Sequence, residues 1–304
     1  MKGPGASHAS ARSDRVRRAD TIVFDVDGVL VDTESSYIEA VARTVQWLLT
    51  SELALVDDGP AVDRATVRLW KRTGRWNDDW DLSYALYCWL VGSSGATTSE
   101  RRRSAGDAEA AARRDIADLE RAAPRHLTWE EVRGIFEEIY NGTPVATSRY
   151  GVKARVRQER GLAETERVLL EASLLRELAL LGLHKVGIVT GRSLPDWDAV
   201  RVRIPLPVET AVATMEDGRK PDVAPLRKVV DALRPSAFIA VGDTLADLEM
   251  VVRWNESDPD VPGTPVMLCP AEDEATYRVA GATLFIRSLA DLPALVRASR
   301  EGKR

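Results

Sequence analysis

Three short apolar runs along the chain stop in the same manner. Residues 21–24 (TIVF) run into DVDGV, residues 185–189 (KVGIV) into Thr190-Gly191-Arg192, and residues 237–241 (AFIAV) into Gly242-Asp243-Thr244. None alternates between apolar and polar positions, so each reads as a strand buried on both faces of an α/β sheet. Further strands are expected over 207–212, 265–268 and 282–286. Apolar residues at helical spacing predict helices over 166–181, 223–233 and 244–254. Residues 16–33 and 166–304 should therefore form one discontinuous α/β domain whose sheet needs both ends of the chain.

Residues 34–165 carry a different pattern. Helical spacing recurs over 35–50, 60–72, 80–91 and 128–140 without a convincing strand, and Thr128 with Glu131 makes a capping-box signature. The stretch 93–126 is rich in Ala, Arg and acids; a flexible insertion is expected near 93–108, followed by a charged, exposed helix. An all-helical domain over 34–165 follows, with hinges near 32–35 and 160–166. Within it, the loop from Trp70 to Trp80 (WKRTGRWNDDW) admits two readings. It is a structural corner, or a tryptophan platform on which Arg72, Arg75 and Asn77 select a substrate. Residues 1–15 are small, polar and basic, the composition of a disordered arm.

Composition narrows the classes of partner. The 304 residues are 44% hydrophobic and 29% charged, with a formal net charge of −5, which gives no reason to expect nucleic acid or an anionic membrane surface. Cys88 and Cys269 form no CxxC pair, and no apolar stretch is long enough to span a bilayer. With no secretion-signal pattern at the start, a cytoplasmic protein is the expectation. No surface in the sequence distinguishes a monomer from a homodimer.

The polar residues that end the strands carry the chemistry. Asp25 and Asp27 are two residues apart and share a face of a strand, with Gly28 permitting a sharp turn. Two carboxylates so close call for a divalent cation, and oxygen ligands suit Mg2+. Asp243 closes another strand, and Asp247 stands one helical turn beyond it. Thr190 offers a hydroxyl and Gly191 exposed backbone N–H groups, a turn able to cradle phosphate oxygens. Lys220 brings one positive charge in a turn ahead of a helix.

In the order DVDGV, GIVTGR, GRKP, VGDTLAD, these elements resemble the haloacid-dehalogenase-like superfamily, in its phosphatase branch with a helical cap inserted after the first motif. The GRWNDDWDL stretch resembles an uncharacterised phosphatase-like subgroup. The resemblance implies a Rossmann-like, mostly parallel sheet flanked by helices, with an all-helical cap. It implies Asp25 as nucleophile, Asp27 as general acid/base, Thr190 as phosphate-binding hydroxyl and Lys220 as the motif lysine. Asp25, Asp243, Asp247 and the backbone carbonyl of Asp27 would hold Mg2+. Arg192 would reach the phosphate or leaving group, or serve an exposed structural role. The implied activity is hydrolysis of a small phosphorylated metabolite through an aspartyl-phosphate. The same nucleophile would serve a sugar phosphomutase, and a catalytically silent binding protein could retain the fold.

Overall fold

A computed structural model describes residues 15–301 apart from 77, 103 and 124–126. The chain forms two compact units, one contiguous from Thr33 to Glu166 and the other built from the segments that end at Asp32 and resume at Arg167.

The second of these is an α/β unit. Its strands are β1 (Thr21–Phe24), β2 (Val31–Asp32), β3 (Arg167–Val168), β4 (Lys185–Val189), β5 (Ala211–Ala213), β6 (Phe238–Gly242), β7 (Gly263–Leu268) and β8 (Phe285–Ile286). Six of them form a parallel sheet in the order β5-β4-β1-β6-β7-β8. The first strand in the chain thus lies in the middle, where successive connections diverge to either side. A sheet of this kind binds ligands beyond the carboxyl ends of its strands at that point.

Alternate residues of β1 serve two cores. Ile22 and Phe24 pack with Ile188, Ile239 and Val241 under the helices Ala172–Leu180, Leu194–Arg201 and Leu292–Glu301. Val23 packs with Val189, Phe238 and Ala240 under Ala224–Leu233 and Leu245–Ser257. Burial on both faces explains why these strands are continuously apolar. The helical turn at 15–18 buries Val16 in the first of these cores; the rest of the expected N-terminal arm lies outside the described residues.

Several segments differ from the sequence reading, among them the strand expected over 282–286, which is reduced to β8. The helix expected from 166 begins at Ala172, because β3 pairs antiparallel with β2 and Leu169 N–H donates to Leu30 O at 2.8 Å. The strand expected over 207–212 is reduced to β5, starting at Ala211. Before it, Thr210 N–H donates to Pro207 O at 3.2 Å in a turn that leaves Val208 exposed. Strand propensity without a neighbouring strand does not make a strand.

The other unit is helical. Helices Glu39–Trp47, Asp79–Val91 and Trp129–Asn141 share one core, and Asp79–Val91 is buried around nearly its whole circumference. Asp78 caps it by accepting from Trp80 N–H at 2.9 Å, and Thr128 and Glu131 form the expected capping box. The later part of 93–126, expected as one charged, exposed helix, is broken into short helices. The whole stretch contains helices at Thr98–Arg101, Ala105–Ala112 and Ile116–Ala122, with Ala111, Ala112 and Leu119 in the core. Alanine is small enough to let an otherwise polar segment lie close against the bundle.

Candidate active site

The register of the sheet brings the polar strand ends together. Phe24 stands opposite Ile188 on one side and Val241 on the other, so Asp25, Thr190 and Asp243 all emerge at one sheet edge. Asp25 N–H continues the ladder to Val241 O at 2.9 Å, and its Oδ1 accepts from Val26 N–H at 2.7 Å. The chain then folds back, with Leu30 and Val31 N–H both donating to Val26 O. Gly28 has a φ of +75°, and a Cβ there would stand 2.0 Å from Asp243 Oδ2. Only glycine lets this turn approach the second acidic turn so closely.

Lys220 joins the two acidic turns. Its Nζ lies 2.6 Å from Asp25 Oδ1 and 2.6 Å from Asp247 Oδ1. Asp247 in turn closes a capping box at the start of the helix Leu245–Ser257: its Oδ2 accepts from Thr244 N–H at 3.1 Å and Thr244 Oγ1 at 2.6 Å. One oxygen of Asp247 therefore fixes the helix start while the other holds the lysine.

Charge and burial conflict here. Burial pushes the Asp25 carboxyl up to about 7; Lys220 opposes the shift, while Asp247 and Asp27 add to it. Asp243 is raised well above its ordinary value, first by burial and then by the charges of Asp25 and Asp247. Burial alone would lower Lys220, but Asp247 and Asp25 outweigh it and raise the ammonium. A ligand oxygen from each of Asp25, Asp243 and Asp247 lies within 4.8 Å of the others, and Asp243 Oδ1 is buried without a hydrogen-bond partner. An unsatisfied buried carboxylate oxygen in a three-acid cluster with one lysine fits a hard divalent cation, which would supply the missing positive charge.

Thr190 and Arg192 form the third wall. Thr190 is buried; its N–H donates to Ala213 O at 3.0 Å and its Oγ1 accepts from Arg192 N–H at 3.1 Å. Gly191 is exposed, with open space where a side chain would stand. The Arg192 side chain is only 2% exposed. Its Nε and Nη2 both donate to Asp27 Oδ1, at 2.8 and 2.6 Å.

Within the helical unit, the tryptophan loop packs on that unit's own core. Trp70 and Trp76 are buried core residues 5.3 Å apart, and Trp76 Nε1 donates to Ala112 O at 2.7 Å. Arg75 forms an ion pair with Asp115. Arg72 is the exposed C-cap of the helix Arg64–Lys71, and Asn77 lies outside the described residues. Trp80 is half-buried, with the Arg133 guanidinium 4.3 Å from its ring centroid.

Sequence reasoning missed Tyr277, whose OH donates to the backbone O of Asp243 at 2.7 Å and so steadies an acidic turn. The residue is far along the chain, on the helix Glu274–Val279, and no spacing pattern announces it. The Thr244–Asp247 capping box does carry a local signal, T-x-x-D ahead of an apolar helix, that the reading of the acids as a cluster did not use.

Known structures share the architecture. The phosphatase Tt82 from Thermococcus thioreducens superimposes with a TM-score of 0.62 at 24% identity, covering 92% of this chain and 99% of that one. A candidate phosphoglycolate phosphatase from Lactobacillus delbrueckii subsp. bulgaricus gives 0.53 at 13% identity, with 91% and 98% covered. A candidate haloacid dehalogenase-like hydrolase from Bacteroides fragilis gives 0.50 at 13%, with 90% and 99% covered. Comparison with curated proteins finds no match. The sequence itself matches the haloacid dehalogenase-like hydrolases over residues 19–253, from the start of β1 through the Asp243–Asp247 turn. Since that match takes in most of the chain and both acidic turns, the protein belongs to the haloacid dehalogenase-like hydrolase family.

Proposed function

We propose that the protein is a Mg2+-dependent phosphomonoesterase acting on a small phosphorylated metabolite through an aspartyl-phosphate. The observation that carries this reading is Lys220 Nζ held 2.6 Å from Asp25 Oδ1, beside the unsatisfied Asp243 Oδ1. A nucleophilic carboxylate must meet an anionic phosphoryl group, and positive charge fixed beside it offsets their repulsion.

In the first step an Asp25 oxygen attacks phosphorus while Asp27 donates a proton to the ester oxygen, so the P–O bond breaks and an alcohol leaves. In the second step Asp27 takes a proton from water, which attacks the phosphorus of the aspartyl-phosphate. The P–O bond to Asp25 breaks, returning Asp25 as a carboxylate with inorganic phosphate as product. Lys220, the Thr190 hydroxyl and the Gly191 backbone orient the phosphoryl oxygens. Asp25, Asp243, Asp247 and the Asp27 carbonyl are the residues to hold Mg2+, whose charge would offset that of the transferring group.

The test is a panel of sugar phosphates, phosphorylated hydroxy acids and amino-alcohol phosphates, assayed with and without Mg2+, with phosphate release as the readout. Asp25→Asn should lower kcat on the order of 10^3-fold or more while thermal unfolding stays near that of the parent. Near-normal turnover in that variant removes Asp25 as nucleophile, and isomerised sugar phosphate without free phosphate redirects the reading to a mutase.

A further inference from the structure

Arg192 is not the exposed structural arginine that one reading of the sequence allows. Its side chain is 2% exposed, against 28% for Asp27. A guanidinium so enclosed has little surface left for a substrate, whereas the carboxylate it holds retains some. Its backbone is clamped between two strand ends: its N–H donates to Thr190 Oγ1 at 3.1 Å, and its O accepts from Met215 N–H at 2.9 Å.

An arginine facing a carboxylate commonly forms two parallel bonds, one to each oxygen. Here Nε and Nη2 converge on Oδ1 alone, at 2.8 and 2.6 Å, and Oδ2 of Asp27 has no hydrogen-bond partner among the described residues. The two oxygens are thereby made different. Oδ1 is occupied as an acceptor, and Oδ2 is the oxygen left to carry and deliver a proton. The fork also fixes the carboxylate plane, because both donors belong to one rigid guanidinium.

We infer that Arg192 is a positioning residue for the leaving-group proton, holding Asp27 so that Oδ2 faces the ester oxygen. The inference rests on the phosphomonoesterase reading and deepens it. In the step concerned, the Oδ2–H bond breaks as a new O–H bond forms on the departing oxygen. The electron pair of the cleaved P–O bond stays with that oxygen, which leaves as a neutral alcohol. Arg192 exchanges no proton.

Such a residue matters in proportion to how badly the leaving group needs a proton. An alkyl phosphate would expel an alkoxide without it, whereas 4-nitrophenyl phosphate expels a stable phenolate. The experiment compares kcat/KM, which reports the steps through phosphoryl transfer to Asp25, for an alkyl phosphate taken from the active panel and for 4-nitrophenyl phosphate. Parent, Arg192→Lys and Arg192→Gln are measured in Mg2+, with circular dichroism and thermal unfolding as checks of folding. Both substitutions should lower the alkyl kcat/KM about 10^2-fold or more, as expected for losing an oriented general acid. The nitrophenyl value should fall by less than about tenfold. Lysine keeps a charge but cannot reproduce the fork, so it should not restore the alkyl activity.

Equal losses on the two esters would place Arg192 on the phosphoryl group and overturn the inference, as would full alkyl activity in either variant. If the parent hydrolyses neither ester nor any member of the panel, the phosphomonoesterase reading itself fails, and the inference falls with it. An active parent with unselective variants sinks the positioning role alone.

Discussion

The backbone of Gly28 runs against the carboxylate of Asp243, with room for no further atom: a Cβ at Gly28 would stand 2.0 Å from Oδ2 and 2.7 Å from Cγ. The turn after the first strand and the turn after β6 are thus packed as a unit, although the chain between them includes the whole helical unit.

Gly28→Ala should therefore damage the acidic cluster from a position that contributes no charge. The φ of +75° costs an alanine about 1–3 kcal/mol, and the methyl group must displace Asp243. Lower thermal stability is expected together with a higher Mg2+ requirement for hydrolysis. An alanine variant with parental Mg2+ dependence would show that Asp243 yields without consequence.

Stability of the metal-free protein should fall as the pH rises. Asp25 is pushed up to about 7 and Asp243 is also raised, so both bind a proton more tightly folded than unfolded. Stability from such groups is fully present below their unfolded values near 4 and is lost as pH climbs through the folded ones. Lys220, raised above its ordinary value, stays charged throughout this window and adds no slope. With chelator present, thermal unfolding should shift downward between about pH 5 and pH 8. Mg2+ should restore more at the upper end, where the carboxylates are ionised. A metal-induced shift equal at both pH values would contradict this.

Glu138 should be a structural keystone of the helical unit. Fully buried, it accepts from Thr143 Oγ1 at 2.7 Å and from the backbone N–H of Arg155 at 2.7 Å, with Val156 and Arg157 N–H at 3.2 Å. Glu138→Ala would take the acceptor from four partly buried donors, at up to about 1–3 kcal/mol for such a loss. Urea unfolding should register that cost, while Glu138→Gln, which keeps an acceptor oxygen, should recover part of it. Equal stability in the alanine variant would mean that the 155–157 segment finds other partners.

How far the sequence could be read depended on whether the relevant interaction is local. Phe24 and Val241 signal buried strands by unbroken apolar runs, and the acids that follow inherit a shared sheet edge from parallel register. Asp247 could be read as a capping residue or as part of the acidic cluster; it is both, because its two oxygens serve different partners. Arg192 was legible as a cation beside a phosphate-type turn, but its bond to Asp27 spans 165 positions and leaves no periodic trace. The loop from Trp70 to Trp80 left two readings open, a structural corner or a recognition platform, and the burial of Trp70 and Trp76 against one another is the packing of a corner. Glu138 could not be singled out, since a glutamate on an amphipathic helix normally faces water.

The position of β1 sets an order of assembly. Its partners β4 and β6 are translated only after the helical unit, which is contiguous and carries its own core. On the ribosome the helical unit can close first, while the strand bearing Asp25 waits with both edges unpaired. A nascent chain halted just past Glu166 would expose TIVF to any neighbour offering a strand, so slow elongation there should favour aggregation over inactive but soluble product.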